Sequence, residues 1–245
     1  MGARVRLAPE ESRHLREVLR LRAGDEAFVF DGEGNEYLCI VAGAEVGERR
    51  GEAVLEVRER VEALRPESPL GLSLAVALLK GEKFDFVVQK ATELGAARIV
   101  PVVTKRADVR LRDAGDGAKR VGRWRRLALE AAKQSGRARV PLIDEPSAFG
   151  AVVEGIGSEE GVGARMLFAE RGGRGLAQTV ADFESESPRS VVALVGPEGG
   201  WEDEELASAS EHGWSIVTLG GRTLRAETAA VAVVVLLQHL FGDLR

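Results

Sequence analysis

The spacing of apolar and polar residues changes character near residue 66. Before it, apolar residues come in short runs that predict strands at residues 27–31, 36–44 and 51–61. The turn-forming Asp31-Gly32-Glu33-Gly34-Asn35 joins the first two. One helical stripe precedes them at residues 9–21, with Leu15, Val18 and Leu19 on a shared face and Gly24 shortly after its end. The pattern predicts a small β-barrel or compact β-domain over residues 1–66. Residues 62–71, with two prolines, predict a linker. Beyond it the pattern alternates. Residues 72–79 form a continuous apolar run, as in a strand buried on both faces. Residues 84, 87, 88, 91 and 94 make a helical stripe that Gly95 stops. Further strands are predicted at 99–103, 140–143, 166–169, 191–195 and 216–219. Helices are predicted at 118–134, 176–183, 203–212 and 228–241. In the helix at 118–134, Val121, Trp124, Ala128 and Ala131 face inward and the arginines outward. Such alternation implies an α/β domain over residues 71–245, with a mainly parallel sheet covered by helices on both faces. The Gly/Glu-rich residues 154–163 predict an exposed loop, and no internal repeat is visible.

Composition changes this picture little. Hydrophobic residues at 44% and charged residues at 30% fit a soluble globular protein. The longest apolar stretch, residues 229–237, falls far short of the roughly 20 residues of a membrane span. Residues 1–20 hold arginines and glutamates without an apolar core, so no signal peptide is expected. The one cysteine, Cys39, excludes an internal disulfide, fits a reducing cytoplasm and is expected as a small buried hydrophobe. Charge distribution matters more than the net charge of −5. Residues 105–139 hold 12 Lys/Arg against four Asp/Glu, and residues 1–22 hold six Arg against three Glu. Clustered arginines can hold phosphates on an anionic molecule, although a charge run can equally be a solvated helix face.

Two glycine-rich stretches carry the candidate chemistry. Val195-Gly196-Pro197-Glu198-Gly199-Gly200-Trp201 and Leu219-Gly220-Gly221-Arg222-Thr223-Leu224-Arg225 each follow a predicted strand and precede a predicted helix. Open α/β sheets bind ligands at such strand ends, and glycine lets a backbone come close to a ligand. Two such loops suggest one composite site, with Phe168-Ala169-Glu170 as a third wall. No P-loop and no Gly-x-Gly-x-x-Gly opening a βαβ unit is present. His14, His212 and His239 lie far apart, and with a single cysteine no zinc or other metal site is expected. No Gly-x-Ser-x-Gly elbow appears.

Leu194-Val-Gly-Pro-Glu-Gly-Gly-Trp201 together with Leu219-Gly-Gly-Arg-Thr-Leu-Arg-Ala-Glu-Thr-Ala229 resembles the SPOUT methyltransferases. More narrowly, the chain resembles the bacterial 16S ribosomal RNA (uracil-N3)-methyltransferase family. Leu79-Lys-Gly-Glu-Lys83, Gln89-Lys-Ala-Thr-Glu-Leu-Gly95, Ile99-Val-Pro101, Arg123-Trp124 and Ala132-Lys-Gln-Ser-Gly-Arg137 match in order, as do residues 14–25 and 30–34. The resemblance covers nearly the whole chain. It implies a PUA-like N-terminal barrel, a C-terminal domain with a trefoil knot, a homodimer and S-adenosylmethionine as methyl donor. The chain departs from the family at its start, where the usual Arg-Phe-Phe-type first strand is expected to be missing.

On this reading the cofactor slot is expected from Phe168, Leu194, Val195, Gly196, Pro197, Glu198, Gly199, Gly200, Leu219, Gly220, Gly221, Arg222, Leu224, Arg225 and Thr228. Methylating uracil N3 requires loss of its proton, because the neutral imide nitrogen has no free lone pair. A base, or a cation that stabilises the developing oxyanion, lowers that barrier. Arg225 is the candidate cation; Glu198, Glu227 or a water is the candidate base. Either glutamate could instead interact with a helix macrodipole. Arg16, Arg20 and Arg22 in the first domain, and Arg106, Arg110, Arg120, Arg123, Arg126 and Arg137 in the second, are the candidate contacts to 16S ribosomal RNA or the small subunit. The remaining alternatives are another SPOUT target, such as a ribose 2′-OH or a tRNA base, and a non-catalytic RNA-binding protein.

Overall fold

The computed structural model describes residues 2–43, 52–156, 163–183 and 188–244. The chain divides into two compact units: Met1–Pro66 with Gly136–Arg139, and Glu67–Ser135 with Val140–Arg245. Among the described residues no helix is long and apolar enough to cross a membrane.

The first unit is built on a four-stranded antiparallel sheet. Its strands are β1 (Arg4–Arg6), β2 (Glu26–Phe30), β3 (Glu36–Val41) and β4 (Val54–Val61), in the order β1-β4-β3-β2. A first strand is therefore present, contrary to expectation. It is three residues long and pairs Arg4 with Glu56 and Arg6 with Val54. Its length and exposed side chains leave no alternating apolar signal to detect. The β2–β3 turn is organised by Asp31, whose carboxylate accepts hydrogen bonds from the Glu33 and Asn35 amides and from the Asn35 side chain. Burial alone would push the Asp31 carboxyl up, but these bonds outweigh it and hold it below its usual range. Leu15, Ala27, Cys39, Val41 and Leu55 form the core. Cys39 is fully buried, as expected, and burial pushes its thiol up.

The expected helix at 9–21 is two pieces. α1 (Pro9–Arg13) runs into a π-helical turn, His14–Val18, in which the Leu19 amide donates to the His14 carbonyl. Arg20 then adopts φ 57°, and the Leu21 amide closes onto the Leu15 carbonyl. The wider turn rotates later positions away from the α-helical stripe. Leu15 stays buried and Leu21 packs on the core, but Val18 and Leu19, expected inward, are exposed.

The second unit is an eight-stranded sheet in which every pairing is parallel. Its elements are β5 (Gly71–Ala77), α2 (Lys83–Glu93), β6 (Arg98–Val103), α3 (Ala114–Ser135), β7 (Leu142–Ile143), β8 (Ser147–Ala148), α4 (Phe149–Gly155), β9 (Ala164–Phe168), β10 (Arg174–Gly175), α5 (Leu176–Ala181), β11 (Ser190–Val195), α6 (Asp203–Glu211), β12 (Ser215–Thr218) and α7 (Ala226–Phe241). The order is β10-β12-β9-β11-β5-β6-β7, with β8 also on β6. Strand alternation divides the apolar residues between the two faces. Leu72, Leu74, Val76, Val191, Ala193 and Val195 pack with α2, α3 and α7. Ala75, Val192 and Leu194 pack with α4, Trp201 and Trp214. In α3, Val121, Trp124, Ala128 and Ala131 are buried as their spacing predicted.

Three elements of the second unit escaped prediction. β8 and β10 have two residues each, too few for a period. α4 has only seven residues, so the stripe of Phe149, Val152 and Val153, completed by Ile156 at its C-cap, is short and runs straight into the Gly/Glu-rich stretch. Of the loop expected at 154–163, Glu154 and Gly155 instead close α4 and Ile156 is buried, because the helix carries its apolar stripe one turn further; residues 157–162 lie outside the described residues.

Candidate cofactor and active site

The central strands β12, β9 and β11 lie side by side and end at Thr218, Phe168 and Val195. Beyond those ends lies a cavity of about 740 Å³. Its walls are Phe168–Glu170, Val195–Trp201, Thr218–Ala226 and Ala229. The two glycine loops and the third wall thus meet in one pocket inside the second unit.

The first loop, residues 196–201, is braced by its neighbours. Trp201 is buried, and its indole N–H donates to the Phe168 carbonyl at 2.9 Å, tying this loop to the end of β9. A Cβ on Gly196 would lie 2.8 Å from that indole. On Gly199 it would lie 3.0 Å from the Arg106 backbone oxygen, and on Gly200 2.7 Å from Glu170 Oε1. Gly200 also takes φ +69°. These three glycines make room for the protein's own groups. Arg106 donates to Glu202 at 2.8 Å and to the Gly199 carbonyl at 3.2 Å, while Arg171 donates to the Trp201 carbonyl at 2.9 Å. Arg106, an expected RNA contact, is therefore engaged in holding the loop.

The second loop, residues 219–225, is open. A Cβ on Gly220 or Gly221 would meet nothing within 4 Å, and residues 221–225 are exposed. The Arg222 amide donates to the Gly220 carbonyl, and Gly220 takes φ +96°. Arg225 precedes the first residue of α7 and lines the pocket mouth. Phe168, Val195, Leu219 and Leu224 supply apolar wall.

Three expected site residues fall outside the wall. Leu194 points to the opposite face of the sheet, because it alternates with Val195 along β11. Thr228 is exposed one turn into α7 and away from the cavity. Glu227 lies behind the wall, with Oε2 buried and lacking a hydrogen-bond partner among the described residues. The group missed from sequence is Lys83, the first residue of α2. Its ammonium donates to Glu198 Oε1 at 2.8 Å and stands 3.9 Å from Glu227 Oε2. The hydrogen bond to Glu198 holds the Lys83 ammonium above its usual range. Burial pushes the Glu198 carboxyl up, but the Lys83 hydrogen bond and charge more than offset this, leaving it below its usual range. The only sequence signal was its place in Leu79-Lys-Gly-Glu-Lys83.

The other expected RNA contacts divide in the same way. Arg16, Arg20, Arg22, Arg110 and Arg126 are exposed. Arg120 pairs with Asp116 on its own helix. Arg123 pairs with Asp85, which also accepts from the Trp124 indole. Arg137 was expected in the second domain as a surface contact. It is 8% exposed and belongs to the first unit, because the chain returns there at Gly136–Arg139 between α3 and β7.

A parallel α/β sheet with a composite glycine-loop pocket beyond its central strand ends defines a ligand-binding α/β fold of the enzyme type. The chain belongs to the RNA methyltransferase family: the RNA methyltransferase domain matches residues 66–238, and the RNA methyltransferase PUA domain matches residues 7–46. It is 33% identical over 227 residues to ribosomal RNA small subunit methyltransferase E of Synechocystis sp., spanning 93% of this chain and 70% of that protein. The crystal structure of ribosomal RNA small subunit methyltransferase E from Neisseria gonorrhoeae bound to S-adenosyl methionine is similar at 31% identity and TM-score 0.83, over 100% of this chain and 94% of that one. A methyltransferase of Legionella pneumophila in complex with SAM is similar at 30% identity and TM-score 0.83, over 99% and 94%.

Proposed function

We propose that the chain methylates N3 of a uridine in the 16S RNA of the small ribosomal subunit, with S-adenosylmethionine as donor. The observation that carries this reading is the pocket beyond β9, β11 and β12, with one braced and one open glycine loop and Arg225 at its mouth. Relatives of the same fold bind this cofactor. The residues present suit it. The cavity lies within the range of about 300–1,000 Å³ usual for such ligands. Phe168, Val195, Leu219 and Leu224 offer an apolar slot for a flat ring, and the unobstructed backbone at Gly220 and Gly221 admits close approach. Glu198, Pro197 and Arg222 complete the walls.

When bound, the cofactor supplies an electrophilic methyl group that leaves its sulfonium as a neutral thioether. Arg225, at the mouth, stabilises negative charge developing on a uracil oxygen as the N3 proton departs. Glu170 and Glu198 are carboxylates on the pocket wall, and Glu198, held in place by the hydrogen bond from Lys83, is the candidate to take that proton. The exposed Arg16, Arg20, Arg22, Arg110 and Arg126 are the RNA phosphate contacts, with the target uridine unpaired or flipped out. Residues 1–66 are read as the PUA-like barrel and residues 71–245 as the knotted catalytic domain. A homodimer is supported by the apolar Val235 and Leu240 exposed on α7 and Phe86 on α2. A cytoplasmic location follows from the substrate.

Incubation with S-adenosylmethionine and 16S RNA, followed by mass spectrometry of the nucleosides, tests the reading. We expect 3-methyluridine at one site; a ribose-methylated nucleoside or a methylated guanosine would replace it with another reaction.

A further inference from the structure

The two candidate bases do not stand alike. Glu198 hangs from the first loop and faces the cavity. Glu227 is the second residue of α7, its Oε2 sealed from solvent and without a hydrogen bond among the described residues. Between them stands the Lys83 ammonium, 2.8 Å from Glu198 Oε1 and 3.9 Å from Glu227 Oε2. Lys83 comes from a third element, since α2 begins just after β5 and the turn at Gly81, whose φ is +61°. A sealed carboxylate oxygen with no hydrogen-bond donor is costly unless a charge faces it, and Lys83 is that charge. The lysine in turn bonds the carboxylate that reaches the pocket.

We propose that Lys83 and Glu227 are positioning residues for methyl transfer: partly buried Glu227, through its sealed Oε2, holds the Lys83 ammonium, and Lys83 fixes the Glu198 carboxylate at the pocket wall. Glu227 then acts through Lys83 and does not itself take the substrate proton. The inference rests on the role given above to Glu198. Lys83 does not itself line the cavity, so its loss is felt in the rate more than in cofactor affinity.

The test is steady-state methyl transfer to 16S RNA, with cofactor Kd from calorimetry, for the full chain carrying Lys83→Met, Lys83→Arg, Glu198→Gln or the Lys83→Met/Glu198→Gln pair. A misplaced carboxylate should lower kcat of Lys83→Met by about tenfold to a hundredfold, with RNA KM and cofactor Kd within about threefold of wild type. Lys83→Arg, which keeps the charge and a donor, should restore kcat to within about threefold. The double variant should be no slower than Glu198→Gln alone, because the two changes remove one device. Wild-type kcat in Lys83→Met, a loss that arginine does not rescue, or full additivity in the double variant would overturn the inference. Wild-type kcat in Glu198→Gln would instead remove the role of Glu198 on which it rests.

Discussion

The two loops that wall the pocket are both glycine-rich and have opposite construction. In residues 196–201 the space above each of Gly196, Gly199 and Gly200 is occupied by the protein: the Trp201 indole, the Arg106 backbone and the Glu170 carboxylate. In residues 219–225 the space above Gly220 and Gly221 is empty. Glycine therefore serves internal packing in one loop and leaves room for a ligand in the other. A site built this way has one preformed wall and one that a ligand can complete. A rigid wall lowers the ordering cost of binding, while an exposed loop lets the ligand enter.

The comparison is most severely tested at Trp201. Trp201→Ala removes a buried ring and the bond to Phe168, and should destabilise the second unit by about 3–5 kcal/mol in chemical unfolding. A loss under about 1 kcal/mol would show that the first loop is not braced from within. Arg225→Ala leaves the braced loop untouched. It should lower kcat by about 10²–10³ without changing the unfolding midpoint, since the lost interaction forms as charge develops. A smaller effect is expected from Gly196→Ala, where the added methyl meets the indole; overpacking of this kind costs about 1–3 kcal/mol, readable as a shift in the unfolding curve. Gly221→Ala, with open space above it, should leave stability within about 0.5 kcal/mol. It should still weaken cofactor binding in calorimetry, and unchanged affinity would remove this backbone from the ligand contact.

The finest test is pH. Because Glu198 is held below its usual range, its pairing with Lys83 is present above the unfolded carboxyl value and is lost as pH falls through the lower folded value. Because Lys83 is held above its usual range, the pairing is also complete below the unfolded lysine value and is lost as pH rises through the higher folded one. The kcat contribution of this pair should be flat across the neutral range and be lost only on acidification or strong alkalinisation, with cofactor affinity little changed; a step near neutrality would assign it to another group. An exposed pair of this kind contributes little to global stability, so the effect belongs to the site.

How legible the molecule was in its sequence depends on the length over which each signal repeats. The long stripes of α2 and α3 and the apolar runs of β5 and β11 were readable, because burial on one stripe or on both faces repeats along the element. Two-residue β8 and β10 have no repeat, and the π-helical turn at His14–Val18 changes the period partway. The same logic holds at the site. Both glycine loops were visible as local strings at strand ends, and Arg225 came with them.

The sequence by itself determined the alternating α/β pattern, the two loops and the clustered arginines, since each is a property of neighbouring residues. Only the tertiary structure decided which of those residues share a space. Strand alternation turned Leu194 away from the cavity while Val195 lines it. Packing gave Gly196 to an indole and left Gly221 open. Chain return placed buried Arg137 in the first unit. A contact spanning 115 positions set Lys83 against Glu198, and no local pattern encodes a pairing between residues that far apart in the chain.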